Sequence, residues 1–269
     1  MRPVKRIHIS LSPRISALKP SKTITVISAN LWHDWPFQRR LPHRLEAFAQ
    51  LAEEERADVV LLQEVICTPQ VQADAWLGKR LGMAFVYSRV NGDEEAIGFE
   101  EGLAVLSRFP IMASQMKNLG LGESFYRRMA LAVEVHSPFG YLWAISVHLG
   151  ILKKRNQSQW HDLRSWVSGL GRGHTALIGG DFNAHEQSNP IRQAQGLWID
   201  TYRSVNPEGD GTTHEIRWPW GNTFRRRRLD YIFLRPGPHR WRIMDARHVL
   251  PTREPHSDHC AVITRFSPL

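Results

Sequence analysis

The sequence predicts one α/β domain in which helices cover the sheets. Three observations predict it. Eleven short apolar runs, rich in β-branched residues, recur along the 269 residues. Only four segments between them have helical spacing. No linker, internal repeat or low-complexity tract divides the chain, and one α/β unit of this length is ordinary.

Residues 1–22 are basic, contain Pro3, Pro13 and Pro20, and lack a sustained apolar core, which argues against a secretory signal. They read as a loosely ordered basic arm ahead of a domain over 23–269. An acid-free, Arg- and Ser-containing start would also suit an organelle transit peptide, but the prolines oppose a long amphipathic helix. Ile24–Ser28 reads as a buried strand. Leu41, Leu45, Phe48, Ala49 and Ala52 share one face of a helix over 41–56. A second buried strand covers 58–62, a helix covers 71–81, and short strands cover 84–89, 103–107 and 111–116. The runs 130–136 and 141–148 are joined by Ser-Pro-Phe-Gly, a turn sequence, and so form a hairpin. A helix over 155–169 leads to a strand at 174–179, a tight Gly-Gly turn, and a short helix near 190–195. The last strands lie near 229–234, 241–248 and 260–266.

Composition bounds the class. The chain is 42% apolar and 23% charged, which excludes disordered and collagen-like proteins. No run of 18 apolar residues occurs, so no transmembrane helix is expected. Two cysteines, Cys67 and Cys260, cannot build a disulfide framework and point to a reducing, cytoplasmic setting. The net charge is +9. It is concentrated in an acid-free stretch with Arg2, Lys5, Arg6, Arg14, Lys19 and Lys22, and in Arg225, Arg226, Arg227 and Arg228. Such blocks attract polyanions, either nucleic acid or an acidic membrane surface, or act only as solubilising charge.

Polar residues stand where the apolar strands stop. Asn30 ends the first and Glu64 the second; His148 ends the hairpin; Asp181 and Asn183 follow Gly179-Gly180; Asp230 opens its strand; Asp258 and His259 precede the last. Each alone could be a turn cap. Together, at the ends of rigid strands, they suit chemistry. Carboxylates and amides without thiolates suit a hard cation, Mg²⁺ with Mn²⁺ as substitute. A His paired with an Asp stabilises developing negative charge. The combination reads as metal-assisted hydrolysis of a phosphate ester. A zinc site on His256, His259 and His185 lacks a Cys pair or an H-E-x-x-H helix.

Asn30, Gln63-Glu64, His148, Gly180-Asp181-Phe182-Asn183, Asp230-Tyr231 and Ser257-Asp258-His259 resemble, in order and spacing, the endonuclease/exonuclease/phosphatase superfamily. The resemblance covers about residues 24–267. It implies a four-layered α/β sandwich, two mainly antiparallel sheets packed face to face with helices outside, and Mg²⁺-dependent phosphoesterase activity. It implies that Glu64, with Asn30 and Asp258, holds the metal. Asp181 would orient or deprotonate water, and Asn183 would position it. His259, oriented by Asp230, and His148 would contact the phosphate. Glu101 would orient His148, and Arg127, with Arg128 as fallback, would contact phosphate. His148 and Arg227 stand where abasic-site endonucleases usually carry Asn and an aromatic. The pattern is closer to the deoxyribonuclease, sphingomyelinase, deadenylase and inositol-phosphatase branches.

Three functions compete. The first is hydrolysis of nucleic acid by a monomer, with Arg225 and Arg227 on flanking phosphates. The second is hydrolysis of phospholipid or another small phosphoester, with Trp218-Pro219-Trp220 at a membrane surface. Those tryptophans would equally stack on bases or pack under a loop. The third is a non-catalytic binding module, which has no need of costly buried carboxylates.

Overall fold

The structure, a computed structural model, describes residues 5–8, 22–120, 127–171, 173–218, 220–250 and 254–269. Its strands and helices begin with β1 (Lys5–His8), β2 (Ile24–Asn30), α1 (Leu41–Glu54), β3 (Val59–Cys67), α2 (Ala73–Leu81), β4 (Ala84–Asp93), α3 (Glu94–Ile97) and β5 (Phe99–Ser107). They continue with β6 (Ile111–Asn118), β7 (Met129–Ser137), β8 (Gly140–His148), α4 (Lys153–Gly169), β9 (Thr175–Asp181), α5 (Asn189–Gln195), β10 (Ile199–Asp200) and α6 (Thr201–Val205). The last are β11 (His214–Arg217), β12 (Thr223–Arg227), β13 (Asp230–Arg235), β14 (Trp241–Val249) and β15 (Ala261–Pro268).

Alternation along the strands builds three apolar layers. In β3, Val60 and Leu62 face Leu45, Phe48 and Leu77 of α1 and α2. Val59 and Leu61 of the same strand face the second sheet, where they meet Leu131, Ala144, Leu177 and Ile232. The far side of the second sheet packs Ile145, Ile178 and Phe233 under Trp160, Leu163 and Val167 of α4. Strands covered on both faces read as continuous apolar runs, which is why 58–62 and 174–179 stand out in the sequence. Each such buried Leu, Ile or Val contributes about 1.5–3 kcal/mol. The order of layers is helix, sheet, sheet, helix, the four-layered sandwich that the resemblance implies.

One sheet runs β1-β4-β5-β3-β2-β15-β14 and the other β10-β13-β9-β8-β7-β6. Only β2–β3 and β8–β9 are parallel among the described pairs. Register sets the functional edge: His148 lies opposite Asp181 across β8–β9, and Asp181 lies opposite Asp230 across β9–β13. In the facing sheet Asn30 lies opposite Gln63.

The structure alters three readings. Gly179 and Gly180 lie within β9 and form no turn. A Cβ on Gly180 would sit 1.8 Å from the Val147 carbonyl oxygen, and one on Gly179 would sit 2.7 Å from Leu61 Cδ1; the pair permits close backbone and sheet approach. Glu64 does not end its strand. It occupies a bulge between Leu62 and Val65, at φ 51°, which re-aims its side chain out of the alternation. Within the basic arm, Lys5–His8 pairs antiparallel with the open edge of β4. The rest of residues 1–21 lies outside the described residues. A two-stranded hairpin, β11–β12, stands apart from both sheets.

Candidate active site

Asp181 is the centre of a buried polar cluster. Asn30, at the end of β2, donates from Nδ2 to Glu64 Oε1 (3.0 Å) and Asp181 Oδ2 (3.3 Å). Its Oδ1 accepts from the Trp32 N–H (2.9 Å), which fixes the amide orientation. Glu64 Oε2 accepts from the His33 N–H (3.1 Å). On the other side, the Asn183 N–H donates to Asp181 Oδ1 (2.8 Å) and its Nδ2 to Leu149 O (2.9 Å). Asn183 Nδ2 also lies 3.2 Å from His148 Nε2 and 3.2 Å from Asp181 Oδ2. Like Glu64, Asn183 is left-handed, at φ 47°. Two non-glycine residues in that region at one site are the backbone conformations that functional sites hold under packing.

His259 Nδ1 meets Asp230 Oδ2 at 2.8 Å. Asp230 Oδ1 is buried and has no hydrogen-bond partner among the described residues. The charges are set by these neighbours. Burial and then the Asp230 charge push the Asp181 carboxyl up to about 7. Burial disfavours the His259 cation, but the charge and hydrogen bond of Asp230 outweigh it and hold the ring at about 10. Burial, with Arg128 and His259 nearby, pushes His148 well below its ordinary value, so it is neutral. A carboxyl poised near neutrality, a cationic His and a neutral His are thus held side by side.

Glu101 and His148 line one small cleft with Val90, Arg128 and Met129. Asn91 donates to Glu101 Oε1 (2.6 Å). Burial and then the Glu64 charge raise the Glu101 pKa. Of the two candidate arginines, Arg127 is exposed, with its N–H held by Asn91 Oδ1 (2.7 Å), and Arg128 reaches the cleft. Asp258 lies away from Glu64's hydrogen bonds. Its Oδ2 is 3.8 Å from His214 Nε2, and His214, Asp258 and His259 form one group that could hold a metal ion, as do Asp181, Asp230 and His259.

Arg225 and Arg227 lie on β12 of the hairpin, while Arg228 is buried. Arg228 grips both Asp200 oxygens (2.6 and 2.8 Å) and Glu186 Oε1 (2.7 Å). Trp218 and Trp220 do not pack under a loop; they are exposed. His185 is in neither metal-capable group among the described residues.

Three contributors escape the sequence reading. Asn91 lies inside β4, two residues before its end and beside a register shift with β5, so the strand-end criterion passes over it. His214 lies against His259 with ring centroids 4.4 Å apart and the planes tilted by 31°. Thr213 Oγ1 accepts from the Leu229 and Asp230 N–H groups (2.9 and 3.1 Å). Neither of these two borders an apolar run.

The model of the Endonuclease/Exonuclease/phosphatase family matches residues 27–259. The chain belongs to that family. Its members are hydrolases that act on phosphodiester bonds. Solved structures share the fold. An endonuclease/exonuclease/phosphatase family protein from Leptotrichia buccalis is 18% identical with TM-score 0.74, over 90% of this chain and 98% of that one. The human Nocturnin catalytic domain with bound sulfate anion is 19% identical with TM-score 0.70, over 92% and 94%. D. rerio TDP2 complexed with single strand DNA product is 17% identical with TM-score 0.70, over 91% and 99%. No curated protein matches this family member.

Proposed function

We propose that this family member is a Mg²⁺-dependent phosphodiesterase acting on nucleic acid. The observation that carries the reading is the placement of Asp181. It stands between Asn30 and Glu64 on one side and Asn183 and His148 on the other, one strand from the Asp230–His259 pair.

The donors fit a hard cation. Asn30, Glu64, Asp181 and Asp230 present only oxygen and amide groups, Asp230 Oδ1 is an orphaned buried oxygen, and burial and then the Asp230 charge lift Asp181. Glu64 and Asn30 would hold Mg²⁺ or Mn²⁺, with Asp258 as a further oxygen donor from the loop that carries His259. The ion would neutralise phosphate charge and polarise a phosphoryl oxygen. Asp181, near neutrality, accepts the proton of the attacking water, and Asn183 orients that water. His259, kept cationic by Asp230, binds the non-bridging oxygens as their charge rises. Neutral His148 contacts the phosphate from the opposite side, with Glu101 as its positioning residue and Arg127 or Arg128 as phosphate contact.

Nucleic acid is favoured by the basic blocks and by the TDP2 neighbour with its single strand DNA product. Exposed Trp218 and Trp220 favour a second reading, a phospholipid headgroup. Purified protein with Mg²⁺ should be assayed against plasmid, single-stranded DNA, RNA, sphingomyelin and bis(p-nitrophenyl) phosphate. Cleavage of a polynucleotide above sphingomyelin is expected; the reverse order would move the assignment to lipid.

A further inference from the structure

The hairpin β11–β12 is rooted beside His259. The Cys260 N–H donates to Thr213 O (2.7 Å) and the Thr213 N–H to Arg227 O (2.9 Å). His214 makes a backbone bridge to His259, and their rings meet at a 31° tilt.

The pairing sorts the arginines. His214 lies opposite Arg227 and Ile216 opposite Arg225, so these four share one face of the ribbon. Glu215 lies opposite Arg226 on the other face, where Arg226 Nε meets Glu215 Oε1 at 3.0 Å. Arg225 and Arg227 therefore sit on the side of His214, while Arg226 and the buried Arg228 are engaged by carboxylates.

At the far end, Trp218 and Trp220 are 43% and 69% exposed. Their rings are stacked at 5.0 Å and 8°, and Phe224, itself 58% exposed, meets Trp218 edge-on at 4.7 Å. A flat aromatic stack in water leaves apolar area uncovered, and its flat face matches a nucleic-acid base. A membrane anchor needs the apolar tip alone. Here two arginines line the route from the tip to His259, as a phosphate backbone requires.

We propose that this hairpin holds single-stranded nucleic acid beyond the scissile phosphate. Unpaired bases stack on Trp218, Trp220 and Phe224, and phosphates lie against Arg225 and Arg227. The proposal rests on the phosphodiesterase reading and adds the strand state and length of its substrate. From His214 to Trp218 is four residues, about 13 Å of strand. That is the reach of a few nucleotides of unpaired strand.

Hydrolysis of a dinucleotide, a 12-residue single strand, the same 12-mer as duplex, and bis(p-nitrophenyl) phosphate tests this, alongside tryptophan fluorescence in EDTA. The single-stranded 12-mer should be preferred over duplex, dinucleotide and aryl diester, and should quench the fluorescence saturably. Trp218→Ala with Trp220→Ala should reduce the kcat/KM advantage of the 12-mer over the aryl diester by about 5- to 100-fold, through KM, since stacking is worth about 1–3 kcal/mol per base. The same variant should lose most of the quenching. Arg225→Gln with Arg227→Gln should lower the salt slope of 12-mer binding by roughly 0.7 for each phosphate that is no longer neutralised. Wild-type ratios and quenching in both variants would overturn the proposal. So would Trp-dependent sedimentation with phosphatidylserine vesicles while the 12-mer advantage is kept. If nothing is hydrolysed, the catalytic reading falls, and the quenching still decides the hairpin.

Discussion

Asp181 has three oxygen or amide neighbours that fix its two oxygens: the Asn30 and Asn183 side chains and the Asn183 N–H. Asp181→Asn preserves that shape and removes the base. It should lower kcat on bis(p-nitrophenyl) phosphate by about 10² to 10⁴ with an unaltered circular dichroism spectrum. Residual activity within twofold of wild type would remove Asp181 from the proton step. The His259–Asp230 contact at 2.8 Å makes those two one unit. His259→Ala and Asp230→Ala should therefore be non-additive, the double variant losing little more than the worse single. A double loss equal to the product of the singles would separate them. Most of this constellation is legible because short motifs carry it: Gly-Asp-Phe-Asn and Ser-Asp-His each place two groups within four residues. Glu64 was legible as a residue but not as a bulge, since the turn of its backbone depends on pairing with β5. Asn91 on Glu101 was not legible because an irregular β4–β5 register sets it, and His214 on His259 was not because folding brings two distant segments together.

At the scale of elements, Arg228 divides a run that reads as one basic block. It is 3% exposed, paired with Asp200 and Glu186, and its guanidinium is stacked 4.5 Å over Tyr231. It ties the link between β12 and β13 to β10 and to the loop that carries Glu186. Removing one partner of a buried pair leaves charge uncompensated. Arg228→Ala should cost about 3–5 kcal/mol in urea unfolding, whereas exposed Arg225→Ala should stay within about 0.5 kcal/mol. Equal effects would show Arg228 to be surface charge. The strands and helices that pack on both faces were readable from apolar runs, down to the hairpin of β7 and β8. The short pieces α3, β10 and α6 were not, being too brief to show a period. Nor was β11–β12: its residues are polar, arginine-rich and half exposed, so no core imposes alternation on them. The sequence singled out its arginines and tryptophans without the ribbon that joins them.

At the scale of the whole molecule, the apolar runs read only as one α/β domain with helices on its sheets; the four-layered sandwich came from the family resemblance, and the three apolar layers and the family match over residues 27–259 agree with it. No helix among the described residues is long and apolar enough to cross a membrane. Buried titratable groups couple the fold to pH. Burial, with the Arg228 charge, pushes His248 down to about 4, where it stacks on Tyr202 at 4.0 Å. A depressed histidine contributes stability that is fully present above its unfolded pKa near 6.5 and is lost as pH falls toward 4. The full span is about 3 kcal/mol. Asp181, raised to about 7, acts in the opposite sense, stabilising the fold as pH falls through that value. The comparison must therefore be with His248→Gln. The wild type should lose urea stability relative to this variant between pH 6.5 and 4; parallel curves would place His248 in water.

The central claim is that a cation on oxygen ligands and Asp181 together hydrolyse a phosphodiester. Hydrolysis of bis(p-nitrophenyl) phosphate, titrated with Mg²⁺ after stripping in EDTA, tests it in wild type and Glu64→Gln. Excess EDTA should abolish turnover, added Mg²⁺ should restore it, and Glu64→Gln should need a higher Mg²⁺ concentration for half-maximal rate. Full turnover in excess EDTA, with Glu64→Gln indistinguishable from wild type, would contradict it.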